Sequence, residues 1–142
     1  LLGVLGGGQY DVAIGSRAVD RSMIEVHQSR FRELAGVMFN RLVQLVTGLP
    51  FVDTQCGFKA FVRERALPVF EQQRIERFGF DPEILFLAAR QGLRMIEVPV
   101  RWAHNADTRV HMLRDSLRMF GELLQIRWNW LLGRYRVGKR GG

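Results

Sequence analysis

The segment Asp53-Thr-Gln-Cys-Gly-Phe-Lys59 places a carboxylate, an amide, a turn glycine and a cation within seven positions. If Phe58, Ala60 and Phe61 enter a core from a strand, Asp53, Gln55 and Lys59 must be solvated, paired or used. Gly57 permits a positive φ or a close backbone approach, so the stretch reads as a loop entering a strand at residues 58–62. Arg17 follows the apolar run 11–14 and Gly15-Ser16. That is the position of a cation at the carboxyl end of a strand, where open α/β sheets bind ligands. Asp81 and Glu83 flank Pro82 at the start of an apolar run. An N-cap aspartate and a first-turn glutamate would explain both without chemistry.

Other chemistries are poorly served. His27, His104 and His111 have no metal-ligand spacing, and the single Cys56 excludes an intrachain disulfide and a multi-cysteine zinc site. Cys56 has no nearby histidine to activate it and reads as a small packing residue.

The elements that must position these residues alternate. Residues 11–14 form a buried-type strand, and a helix is predicted over 29–47, stopped by Gly48-Leu-Pro50. A strand at 58–62 and a short helix at 66–72 follow, with Pro68 near its first turn. A helix runs from Asp81 to Arg90 and stops at Gly92. Residues 95–102 form a strand whose Pro99 marks an edge or an end. The last helix covers about residues 108–132. This alternation argues for an α/β layered domain. Three strands make an incomplete sheet, and position 1 is not Met, so the chain reads as an excerpt with sequence missing upstream.

The chain has 142 residues, 47% hydrophobic and 25% charged, which is globular composition for one domain at most. Its net charge is +7. Residues 1–100 carry a net of +1 and residues 101–142 a net of +6, so an anionic partner is implied for the last third. Within the last helix Leu113, Leu117, Phe120, Leu124, Trp128 and Leu131 lie on one stripe, with Arg114, Arg118, Arg127 and Arg134 off it. Trp128 and Trp130 sit near its end. This is the pattern of an interfacial membrane helix, although an ordinary core-packing helix has the same period. Glu122 and Arg127 interrupt the run, so it does not span a bilayer.

Five segments in order carry a resemblance. Asp11-Val-Ala-Ile-Gly-Ser-Arg17, Asp53 to Lys59, Gly79-Phe-Asp-Pro-Glu83, Glu97-Val-Pro-Val-Arg-Trp102 and Asp115-Ser-Leu-Arg-Met119 resemble the C-terminal half of a family-two glycosyltransferase. The closest likeness is to the dolichyl-phosphate β-glucosyltransferases and bacterial polyprenyl-phosphate relatives. The resemblance implies a partial GT-A fold, with residues 1–107 as the acceptor half, 108–136 as an amphipathic interfacial helix and 137–142 as a basic tail. It implies transfer of a hexose, glucose in the nearest subgroup, from a nucleotide sugar to a lipid phosphate, peripherally at the cytoplasmic face of a membrane.

By resemblance, Asp53, Gln55, Asp81 and Glu83 are catalytic-site residues, and Arg17, Lys59, Arg101 and Arg109 bind phosphate. Lys59 either pairs with Asp53 or faces phosphate. Arg109 stands where relatives carry a lysine beside the diphosphate, but here the stretch reads Ala106-Asp-Thr-Arg109. Arg114, Arg118, Trp128 and Trp130 are expected to meet an anionic membrane. A divalent metal, magnesium or manganese, is implied for the complete enzyme, with no ligand in this chain, which has no Asp-x-Asp. Without the nucleotide-binding half, residues 1–142 are expected to be inactive alone.

The competing reading is a non-catalytic basic module binding membrane or nucleic acid, or an inactive truncated family member. A pI of about 10.9 permits nucleic acid. No helix-turn-helix, zinc spacing or RNA-binding aromatic motif supports it, and nucleic acid is not favoured.

Overall fold

The sheet is built around the most buried of the described strands. In the computed structural model, which describes residues 1–17, 30–77, 79–101 and 112–135 (side chains of 31–33 and 112–113 aside), β1 is Val12–Ser16 and every residue of it is buried. It lies between β2, Lys59–Phe61, and β3, Met95–Pro99, in the order β2-β1-β3. β2 runs antiparallel, with Ile14 opposite Lys59 and Val12 opposite Phe61. β3 runs parallel, with Ile14 opposite Glu97 and Ser16 opposite Pro99. A central strand covered on both faces needs no polar alternation, which is why residues 12–14 are uniformly apolar. Pro99 is tolerated because it ends an edge strand.

Among the described residues five helices accompany this sheet: α1 Leu2–Gly6, α2 Arg30–Thr47, α3 Arg63–Glu71, α4 Phe80–Arg90 and α5 Met112–Leu131. One core joins Val12 and Ile14 of the sheet to Val43 of α2, Ile84 to Ala88 of α4, and Leu123 and Ile126 of α5. Gly48 and Gly92 end α2 and α4 at φ of 72° and 77°, in the left-handed region that favours glycine.

Several expectations are corrected. Among the described residues Gly57 has neither a positive φ nor a close neighbour. The close approach belongs to Gly15, where a Cβ would lie 2.9 Å from the Phe58 carbonyl oxygen and 3.0 Å from Val100 Cγ1. Phe58 precedes β2 and is 60% exposed, so it does not enter the core. α3 starts at Arg63, which moves Pro68 past the first turn and deprives the Glu64 carbonyl of its helical donor. α4 starts at Phe80 with Gly79 at the N-cap, and Asp81 makes no capping bond. Residues 108–111 of the last predicted helix lie outside the described residues.

Of the two readings of the stripe on α5, the core-packing one is excluded for the residues named. Leu123, Ile126 and Asn129 face the core, while Leu117 (65% exposed), Leu124, Trp128 (60%) and Leu131 (75%) face away from it. The helix is apolar on two sides, and periodicity had found the outer one. Trp130 turns inward instead, its ring edge-on to Phe86 at 5.7 Å with Arg90 stacked over it at 4.9 Å.

Glu83 is fully buried. Its Oε1 accepts from the backbone N–H groups of Arg74 (2.8 Å) and Ile75 (3.1 Å), and its Oε2 from the Tyr135 hydroxyl (2.6 Å). Asn129 Nδ2 donates to the same hydroxyl at 3.3 Å. Burial first, then the bond to Glu83, pushes the Tyr135 phenol well above its ordinary range. This network staples the segment after α5 onto α4. Tyr135→Phe leaves Glu83 Oε2 buried without its hydroxyl donor and is expected to cost about 2–3 kcal/mol, measured by denaturant unfolding; a loss below about 0.5 kcal/mol would contradict the staple.

Candidate functional site

Because β1 and β3 are parallel, their carboxyl ends lie together, and the loop carrying Asp53 is pinned across them. From β3, the Glu97 carboxylate accepts the backbone N–H of Asp53 at 2.8 Å and that of Val52 at 3.1 Å. From the end of β1, Arg17 supplies three donors to Asp53. Its backbone N–H and Nε reach Oδ2 at 2.9 and 2.7 Å, and its Nη2 reaches Oδ1 at 2.8 Å. Asp53 is only 2% exposed. Burial alone would raise its pKa, but the Arg17 hydrogen bonds and charge outweigh it and hold the carboxyl below its usual value. A carboxylate this well satisfied is a weak base. Its chemistry is to fix the plane and direction of the Arg17 guanidinium.

Lys59 pairs with Asp81, not with Asp53. Its Nζ donates to Asp81 Oδ1 at 2.7 Å and to the Cys56 carbonyl oxygen, and its side chain is 5% exposed. An ammonium so buried is sustained only by such partners. The pair joins β2 to the first turn of α4, and the Lys59 charge is close enough to help lower the Asp53 pKa. Arg17, Asp53, Lys59 and Asp81 therefore form one assembly of four charged groups. Cys56 is buried beneath it as a packing residue.

Other predicted site residues fall elsewhere. Glu83 turns into the core with both oxygens occupied, as described, so it does not join Asp81. Arg101 is exposed just beyond β3. Arg109 lies outside the described residues, as do Trp102 and the three histidines. In the Asp53 loop, Thr54 Oγ1 and Gln55 Nε2 are buried without a hydrogen-bond partner among the described residues. Sequence reasoning missed Glu97, although its place in the alternating run 95–99 put it on the same face as Met95 and Pro99. It also missed Thr54, which had no signal beyond its neighbour Asp53. Among the described residues no three histidine, cysteine or acidic side chains group to hold a metal. The carboxylates present are committed to Arg17, Lys59 and backbone donors, so they do not fit a divalent ion.

The depressed Asp53 pKa sets a sign for acid stability. A carboxylate lowered on folding stabilises the chain above its unfolded value of about 3.8, and that contribution is lost as pH falls through the folded value. Unfolding free energy is expected to fall from pH 5 towards pH 2, with a shallower decline for Asp53→Asn; equal slopes in the two proteins would contradict the pairing.

Comparison with known proteins agrees with the motifs. No family model matches the chain, and no solved structure matches it. A dolichyl-phosphate beta-glucosyltransferase of Saccharomyces cerevisiae is 36% identical over 130 residues, covering 91% of this chain and 39% of that protein. The Dictyostelium discoideum protein of the same name is 34% identical over 128 residues, covering 89% and 39%. Glycosyltransferase AglD of Haloferax volcanii is 35% identical over 133 residues, covering 94% and 21%. The chain thus spans about two-fifths, or less, of the length of these curated relatives. Across nine-tenths of its residues, the chain is similar to part of proteins named dolichyl-phosphate beta-glucosyltransferase.

Proposed function

We propose that the protein carrying this chain transfers a hexose, glucose in the first instance, from a nucleoside diphosphate sugar to a dolichyl or polyprenyl phosphate. In this reading residues 1–142 are the acceptor side of a GT-A fold. The observation that carries it is the convergence of three segments behind the family likeness, at Arg17, Asp53 to Lys59 and Asp81, on one end of the sheet.

The chemistry suits such a site. A lipid phosphate is already an anion at neutral pH, so its oxygen can attack the anomeric carbon without a strong general base. The bond from that carbon to the diphosphate breaks, and the nucleoside diphosphate leaves with the electron pair. What the protein must supply is placement and charge. Arg17, held rigid by Asp53, presents a guanidinium of fixed orientation, and Lys59 a cation anchored by Asp81. The Thr54 hydroxyl and Gln55 amide, unpartnered among the described residues, are donors that a phosphate or sugar oxygen would satisfy. Arg17 and Lys59 are outnumbered by Asp53, Asp81 and Glu97, so an incoming phosphate draws on further cations, the role assigned to Arg101 and Arg109. A divalent metal would neutralise the leaving diphosphate, on ligands that this chain does not supply.

The outer face of α5 supports a site on a membrane surface, the cytoplasmic face in this reading. A leucine-sized side chain left in water forgoes about 1.5–3 kcal/mol that burial would yield. Leu117, Leu124, Trp128 and Leu131 forgo it together, with Arg114 and Arg118 exposed beside them. Leu34, Met38 and Leu45 of α2 are likewise exposed, next to Arg41. Among the described residues no helix is long and apolar enough to cross a membrane. Such faces lie in an interface rather than span it.

Two experiments test the reading. Asp53→Asn in the full-length protein is expected to reduce transfer of labelled glucose to polyprenyl phosphate at least tenfold with the fold intact; undiminished transfer would refute the site. Arg114→Glu combined with Arg118→Glu should weaken sedimentation with anionic vesicles at least tenfold, at about 1 kcal/mol per basic residue near the surface; unchanged binding would return α5 to a packing role.

A further inference from the structure

Gly79, the N-cap of α4, is buried and has no room for a side chain. A Cβ there would lie 2.8 Å from both Cβ and Oε2 of Glu122 and 3.1 Å from Ile75 Cγ2. The Glu122 Cβ belongs to the body of α5 and cannot swing away. The Gly79 backbone N–H donates to Glu122 Oε2, placing a carboxylate from α5 at the positive end of α4, where the helix dipole favours it. Two residues later Asp81 holds Lys59 at 2.7 Å. Farther along, the same two helices are joined by Phe86 against Trp130 and by the Glu83, Tyr135 and Asn129 network. α4 is thus fixed to α5 along its length, and its first turn is set by Glu122.

Glu122 lies on the inward side of α5, opposite the exposed face of Leu117, Leu124 and Trp128. One helix therefore carries the apolar surface on one side and the seat of α4 on the other. We infer that Glu122 is a positioning residue that couples engagement of an apolar, anionic surface by α5 to the placement of the Lys59–Asp81 pair. This inference rests on the proposed transfer to a lipid phosphate only for its kinetic consequence; the structural link stands apart from it. A displacement of α5 would be carried by Glu122 into the first turn of α4, and from there to Lys59.

This chain has two lysines, Lys59 and Lys139, and the link can be read in full-length protein labelled with 15Nζ,13Cε-lysine, the Lys59 signal being assigned as the one that Lys59→Arg removes. Asp81→Asn defines the signal of a broken pair. Glu122→Ala is expected to move the Lys59 signal at least halfway towards that position. Glu122→Gln, which keeps an oxygen acceptor for Gly79, should move it less than a quarter of the way. In the transfer assay Glu122→Ala is expected to lower kcat at least tenfold, with KM for the nucleotide sugar changed less than twofold. It should also abolish any stimulation by anionic vesicles over a soluble short-chain polyprenyl phosphate.

An unmoved Lys59 signal in Glu122→Ala would overturn the inference, whatever the activity. So would a proportionate loss in every kinetic parameter, which marks general destabilisation. If Glu122→Ala does not fold, Glu122→Asp, one methylene too short to reach Gly79, takes its place under the same criteria. If the unsubstituted protein transfers no sugar to any lipid phosphate, the proposed function fails and the Lys59 signal alone decides the link.

Discussion

Everything at the carboxyl end of β1 and β3 depends on keeping one buried carboxylate in place. Asp53 is almost sealed from water, so its charge must be matched by donors that do not move. Arg17 provides three from a position fixed by β1, the most buried strand in the molecule. Glu97 holds the loop backbone from the neighbouring strand. The arrangement requires β1 and β3 to be parallel, because only then do a residue after one and a residue within the other converge on the same loop. It also requires Gly15, whose missing Cβ lets the Phe58 carbonyl accept the Gly15 N–H at 2.8 Å.

The two cations of the site are chemically different. Of the 21 basic residues 19 are arginine, yet Lys59 occupies the buried position against Asp81. Arginine suits Asp53 because a planar fork meets both carboxylate oxygens. Lysine is a compact charge on a flexible stem, able to exchange one oxygen partner for another at small geometric cost. A rigid cation beside an adaptable one suits the proposed transfer, in which phosphate charge would first be received and then redistributed. α5 adds a second division of labour: its inner face completes the core through Leu123 and Ile126, and its outer face leaves Leu117, Leu124, Trp128 and Leu131 exposed.

Much of this was legible in the residues. The apolar run at 12–14, the glycine stops at 48 and 92 and the edge character of Pro99 were all read correctly, because each is a local effect. The sequence singled out the motif around Asp53, but not the residues that the fold brings to it. Lys59 and Asp81 are 22 residues apart, and nothing in a single sequence says that β2 lies beside the start of α4. Asp81 and Glu83 looked equivalent, although two helical positions place them on nearly opposite sides, one towards Lys59 and the other into the core. The stripe on α5 has the predicted period and faces away from the core, which sets aside its core-packing alternative and leaves an inner face that the sequence reading did not find. Periodicity reports that a helix has an apolar face, but cannot say which face meets the core when there are two. The constraint at Gly79 comes from Glu122, 43 residues away, and had no sequence signal.

The central claim is that the carboxyl end of this sheet receives a lipid phosphate. The most direct measurement is photo-cross-linking of a polyprenyl phosphate, carrying its photoreactive group beside the phosphate, to the full-length protein in vesicles, with the labelled peptides mapped. Label in residues 52–59, and its loss on competition with unlabelled polyprenyl phosphate, is the expected result. Label confined to other surfaces, or label in residues 52–59 that competition does not remove, would contradict it.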